Sequence, residues 1–412
     1  METANPAYAR SSEETPVVSP SESGIVNQFS LVKGGLIYRF QVAINMAMPD
    51  RRGVLKRALL TTLFTWFPLL ALSLIQGEAF GHVQIPFLKD FAAELRFLIG
   101  LPLLVIAEVV IDPRLNQAVR YFTDSGLVSR EDIPAFEDAI LAMNRLRDHV
   151  IPGLVILACA FAPSLWFRET EYIGHTISSW HTVLTPGGER LSLAGWWAGL
   201  ISVPLFRVLL FRWFWMTFLW TVFLRRVTRV RLGCIASHPD NLAGLGFLGD
   251  AETLFGFIAL ASSVVTAGAF ANAIVYQGAT VSSLQFLMIA AAALPVIAFA
   301  APLVILTPFL MRVRHRDRYH YGKLGTAYAQ AFDAKWIGGV NPKREELLGT
   351  GDIQSLADII NSGSAVRQMN VFLISKKVLL GLAVPSVVPF IPLVIMNTPV
   401  DELAKQVLKI LL

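Results

Sequence analysis

Arg212 lies inside a long apolar stretch, Leu193–Leu224, about 18 Å from the arginine-rich end of that stretch at helical rise. A guanidinium stays charged at any depth, so it draws in an anion, a lipid phosphate or backbone carbonyls. Arg207 lies on the same stretch, about 25 Å from that end, and snorkelling toward the opposite interface is its alternative role. On the stretch Phe91–Ile111, Glu94 falls at the level of Arg207, with Arg96 close by. A Glu94–Arg207 pair is therefore expected, and Arg212 is left without an acidic residue at its own level. Glu108 and Asp112 are one helical turn apart and suit either a cation or proton entry site or pairing with Arg114, Arg225 or Arg226. Asn272 stands in Thr253–Tyr276 with Ser262, Ser263, Thr266 and Gly268, a composition that suits close helix packing or a polar lining.

A second cluster is the run His238-Pro239-Asp240-Asn241-Leu242-Ala243-Gly244-Leu245-Gly246-Phe247-Leu248-Gly249. His238, Asp240 and the amides exposed by Gly244 and Gly246 could hold a phosphate or a metal. The glycine spacing matches neither a Walker loop nor a dinucleotide fingerprint, and no zinc spacing is present. A turn in which Asp240 caps the following helix is the simpler expectation, and no cofactor or metal is expected.

The elements that must position these residues are apolar helices. Of 412 residues, 54% are hydrophobic and 16% charged, and mean hydropathy is +0.55. The apolar residues gather in seven runs: Ala58–Gln76, Phe91–Ile111, Val150–Phe167, Leu193–Leu224, Thr253–Tyr276, Leu284–Met311 and Val378–Asn397. These are too long and too unalternating for barrel strands, so an all-α polytopic bundle of about seven spans is expected. With the N-terminus inside, 27 Lys and Arg face the cytoplasm, five lie outside and three lie within spans. That excess sets an N-inside, C-outside orientation. Pro385, Pro389 and Pro392 leave a re-entrant hairpin as the alternative for the last run.

Around the spans, residues 1–26 read as a disordered cytoplasmic tail and 27–57 as an interfacial helix region. Spans one to six occupy 58–311, with an amphipathic cytoplasmic loop at 112–148 opened by a capping box at Ser129 and Asp132. A cytoplasmic segment at 312–377 should hold helices near 322–337 and 352–370, and 398–412 should form an outer amphipathic helix. Pro295, Pro302 and Pro308 in the sixth run, with the three of the seventh, free carbonyls that can line a cavity. Cys159 falls within the third run and Cys234 on the inner side, so no disulfide is expected. The basic surface suits lipid contact and topology, not nucleic acid.

The stretches HPDNLAGLGFLG (238–249), RDRYHYGKLGTAYAQAFDAKW (316–336) and ELLGTGDIQSLADIINS (346–362) resemble a family of multi-pass bacterial inner-membrane proteins. In that family a second glycine often precedes Gly244, where Ala243 stands in this chain. The resemblance implies a bacterial inner membrane and carries over no activity and no functional residue.

Three readings follow. A channel or transporter for a small solute, anionic in keeping with Arg212, predicts a water-filled cavity that reaches this residue. A scaffold, receptor or assembly factor, working through its cytoplasmic loops on a protein partner or a second copy, predicts a dry bundle. A membrane enzyme would join His238 and Asp240 to His315 and His320, but no nucleophile–base pair is legible.

Overall fold

The computed structural model describes residues 24–43, 51–166, 178–185, 188–338 and 350–397. The expected outer helix at 398–412, and all but the last three residues of the expected tail, fall outside them. The described chain is almost wholly helical, and its named strands are a two-stranded hairpin, Thr182–Thr185 with Gly188–Leu191.

In chain order the helices are α1 (Gly24–Asn27), α2 (Gly35–Ala43), α3 (Arg51–Ile75), α4 (91–124), α5 (Ile133–Asp148), α6 (Val150–Trp166), α7 (Leu193–Val227), α8 (Gly246–Gln277), α9 (Val281–Val304), α10 (Thr307–Phe332, prolonged by a wide turn to Ile337), α11 (Asp352–Gln368) and α12 (Lys376–Met396). Five of them, α3, α7, α8, α9 and α12, are long and apolar enough to cross a membrane. The count is six if α5 and α6, bent by 45° at His149, form one broken span. The run expected to cross as Phe91–Ile111 is present as α4, but Glu94, Arg96, Glu108, Asp112 and Arg114 give it a charge content unlike the others.

Proline and glycine set the local departures. The sixth run is divided: α9 ends at Val304 and Pro308 opens the first turn of α10, so Pro308 caps a new helix instead of breaking a span. In α12, Pro389 falls in a 3-10 step, Val388–Phe390, and the run continues as one helix without folding back. Wide π turns at Leu95–Gly100 and Ala198–Ser202 each lead into a proline, Pro102 and Pro204, which lacks the amide a regular turn needs. The capping box expected at Ser129 does not form, because the Ser129 hydroxyl donates to the Asp132 carboxylate at 2.8 Å instead of accepting a backbone amide.

The interior is closed by aromatic packing and by small residues. Phe29, Phe122, Phe136, Trp220, Phe223 and Phe247 form one connected set of ring contacts. On α8, a Cβ at Gly268 would lie 2.6 Å from the Phe91 carbonyl, and one at Gly256 2.4 Å from the Gly381 carbonyl. The small residues of this helix thus serve backbone approach. Its Ser262 and Thr266 hydroxyls donate back to carbonyls of the same helix.

Replacing Gly256 or Gly268 by Ala should destabilise the protein by about 1–3 kcal/mol through overpacking. Gly322, on α10 with open space at its Cβ position, should tolerate Ala or gain up to about 1 kcal/mol from helix propensity. Thermal unfolding in detergent would check the contrast.

Candidate functional site

Arg212 of α7 does have an acidic partner. Its Nη1 donates to Oε1 of Glu108 on α4, and Arg57 Nη2 on α3 donates to Oε2 of the same carboxylate. The three residues are 4%, 6% and 7% exposed for Arg212, Glu108 and Arg57. One carboxylate thus ties three helices together and leaves a net single positive charge. The expectation of an uncompensated Arg212 fails because the ends of Phe91–Ile111 and Leu193–Leu224 do not lie at one level, so that Glu108 reaches Arg212, and because Arg57 lies one residue outside the apolar run Ala58–Gln76. Pairing of Glu108 with Arg114, Arg225 or Arg226 is likewise replaced by the two buried arginines. Burying such charges costs several kcal/mol per ion, which only close pairing and further hydrogen bonds offset.

The further bonds come from a non-helical stretch, residues 28–34, that threads between α4, α5 and α7. Arg212 Nη2 donates to the Val32 carbonyl at 2.9 Å. Asp112 Oδ2 accepts the Ser30 hydroxyl at 2.7 Å, and its Oδ1 accepts the amides of Leu31 and Val32 at 2.9 and 3.3 Å. Arg147 Nη1 donates to the Ser30 carbonyl at 2.5 Å. Asn116 donates to the carbonyls of Phe29 and Asn27, and Asp148 accepts the Gly35 amide. The region expected to hold one interfacial helix is therefore a buried strap followed by the short helix α2. Without regular structure, its main chain must find side-chain partners.

A second polar cluster stands at the other end of α4. Asp90 caps that helix through the Ala93 amide at 3.0 Å, and also accepts Trp180 Nε1 at 2.8 Å and Asn272 Nδ2 at 2.7 Å. Asn272 accepts the Phe91 amide at 3.0 Å, so it ties α8 to the start of α4. Glu94 accepts Trp66 Nε1 at 3.0 Å and makes no ion pair with Arg207, whose Nη1 donates to Ser164 on α6 at 3.0 Å. The expected pairing fails because Glu94 faces Trp66 on α3, whereas Arg207 faces Ser164 on α6. Arg96 stacks over the neighbouring Phe97 ring.

The His238 motif is a turn around one carboxylate. Asp240 Oδ1 accepts the amides of Leu242 and Gly244 at 2.8 and 3.1 Å, and Oδ2 accepts that of Gly246, the first residue of α8, at 3.0 Å. Burial alone would push the Asp240 carboxyl up, but these three amides and the neighbouring His238 outweigh it and hold it below the usual carboxylate range. His238 Nδ1 is 2.8 Å from Asp240 Oδ1. Asn241, Ala243 and Gly244 all have positive φ, and at +89° Gly244 occupies a backbone region that suits glycine. The amides exposed by this loop are thus consumed by the chain's own aspartate. His315 packs edge-on against Tyr319 of its own helix. Among the described residues, no group of three or more His, Cys, Asp or Glu could hold a metal.

Two recesses are notable. One of about 30 Å³ borders Arg212 and is lined also by Leu31, Gly34, Arg147 and Gly153. That is room for a water molecule, not for a solute. The larger, about 480 Å³, is an apolar groove between α9 and α12 that shares no residue with the charged triad. Compared with protein-family models, curated proteins and solved structures, the chain matches none.

Two outcomes follow. Glu108→Gln leaves two buried cations and should cost about 3–5 kcal/mol, whereas Arg57→Met leaves a neutral Glu108–Arg212 pair and should cost clearly less. Denaturation in detergent gives the order. For Asp240, the folded pKa is lowered, so its stabilisation is present above the unfolded value near 3.8 and is lost as pH falls through the folded one. Asp240→Asn should flatten that acid limb of the stability profile and leave other limbs unchanged.

Proposed function

We propose that this is a seven-span inner-membrane protein, N-terminus inside and C-terminus outside, that acts as a scaffold or assembly factor through its α10–α11 hairpin. Several of its helices are long and apolar enough to cross a membrane. The seven-span count adds α4 and the α5–α6 pair, and the orientation follows the excess of Lys and Arg on one side. The bacterial inner membrane rests on the resemblance of the His238 motif and the α10–α11 stretches.

The observation that carries the choice over transport is the closure of Arg212 by Glu108 in a packed interior, with a cavity of only about 30 Å³ beside it. A solute path through this point has no room, and the Arg212 guanidinium is already engaged by Glu108 and the Val32 carbonyl. The hairpin favours a partner-binding role. From Asp317, the last buried residue of α10, the helix runs on about 30 Å to Ile337. Its main neighbour there is α11, with Lys335 and Trp336 both bonded to Asp352. Leu324, Ile337, Ile353 and Ile360 are exposed along the hairpin. An extended helical pair with exposed aliphatic side chains suits a protein partner or a second copy.

Gentle solubilisation and affinity purification of the full chain should retain a stoichiometric partner or a homo-oligomer. Leu324→Asp with Ile360→Asp should lose it while the membrane part keeps its melting temperature. In proteoliposomes the wild type should pass no anion or cation above empty vesicles. Flux that disappears in a folded Arg212→Ala protein would replace this reading with a channel or transporter in which the triad is a closed gate.

A further inference from the structure

The strap is held in a way that differs from ordinary core packing. Asp112, Asn116, Arg147, Asp148 and Arg212 supply its grip, from three helices, and nearly every bond goes to a main-chain atom. Acidic side chains take its amides and basic or amide side chains take its carbonyls. The side-chain selectivity is confined to few points. Phe29 is buried against Trp220 and Phe223, Leu31 is buried, and the Ser30 hydroxyl bonds Asp112. The strap bends at residues 31–33, where the Gly34 amide meets the Val32 carbonyl at 3.1 Å, and reading of main-chain groups with a pocket for one aromatic residue is how proteins bind peptides.

The downstream end of the strap closes on two glycines. Gly35 has φ +76°, and a Cβ at Gly34 would lie 2.2 Å from Arg147 Nε. Lys33, within the strap, is exposed. The small cavity at Leu31, Gly34, Gly35, Arg147 and Arg212 leaves the fit incomplete at the same end. By contrast the walls of the cleft are braced without the strap: Arg57, Glu108 and Arg212 hold α3, α4 and α7 to one another, and Trp213 Nε1 bonds the Leu104 carbonyl at 2.9 Å.

We propose that this cleft is a peptide-binding site, occupied by the chain's own residues 28–34 as a displaceable resident, and that its ligand class is a peptide that takes the same bent course and bears an aromatic residue followed by a small hydroxyl residue and an aliphatic one. Release of the strap uncovers Asp112, Arg147 and Arg212 together, and a peptide in trans takes the same bonds. The site is separate from the α10–α11 hairpin and does not depend on the scaffold reading.

The test uses the full-length protein in detergent, with Ser30→Asp to place a second carboxylate against Asp112. Hydrogen exchange of residues 29–35 should accelerate on the order of tenfold to a hundredfold, the loss of one hydrogen bond to a charged group, while α4 and α7 exchange as in the wild type. A labelled synthetic peptide of residues 24–36 should then bind Ser30→Asp saturably and bind the wild type far more weakly. Asn116→Ala, which removes two bonds and adds no charge, provides the same readout should Ser30→Asp fail to fold. Strap amides that exchange only together with α4 and α7 in every folded variant would make the strap a fixed part of the core and overturn the proposal. So would a released strap whose cleft binds no peptide.

Discussion

The carboxylate of Glu108 is the one group on which the arrangement of the described bundle turns. Two arginines from different helices are buried against it. Each oxygen serves one guanidinium, so position and charge balance are set together. The leftover positive charge is then met by the Val32 carbonyl, which draws a non-helical strap into the interior. Asp112, one turn further along α4, completes the strap's capture by taking its amides. A single helix face, with acids at 108 and 112, therefore organises both the cationic core and the segment that covers it.

The opposite end of α4 follows the same logic with neutral partners. Asp90 gathers a helix-start amide, an indole and an amide side chain, and thereby joins α8 and the segment around Trp180 to the start of α4. Between these two polar ends the bundle is joined by rings and by glycines that allow backbones to approach. Polar groups thus fix register at the ends, and apolar packing supplies most of the contact area between them.

The helical class and most helix positions were legible because run length and composition carry them directly. A turn built on Asp240 was legible too, since an aspartate before a glycine-rich helix start has a local use, although the residue at the cap position is Leu245. The triad was not. Arg57 lies just past an apolar run and looks like an interfacial charge, and nothing in the spacing of Glu108 points to α3 or α7. Pairing across helices depends on rotation and tilt, which depth along the chain does not carry, and for the same reason Glu94 and Arg207 lie level in the sequence yet bond different helices. The strap was hidden for a related reason. Its residues are as apolar as an interfacial helix, and only the acids and amides of distant helices reveal that its main chain is bound.

The most direct test of the Glu108 account is the thermodynamic coupling between Arg57 and Arg212. Each single change to Met leaves one arginine against one carboxylate, whereas the double change strands a buried anion. Unfolding free energies of the wild type, Arg57→Met, Arg212→Met and the double variant in one detergent give the coupling. The account predicts that the double variant loses more than the two single losses together, by about 0.5–3 kcal/mol. Additive losses would contradict it, because they would mean that the two arginines do not depend on a shared carboxylate.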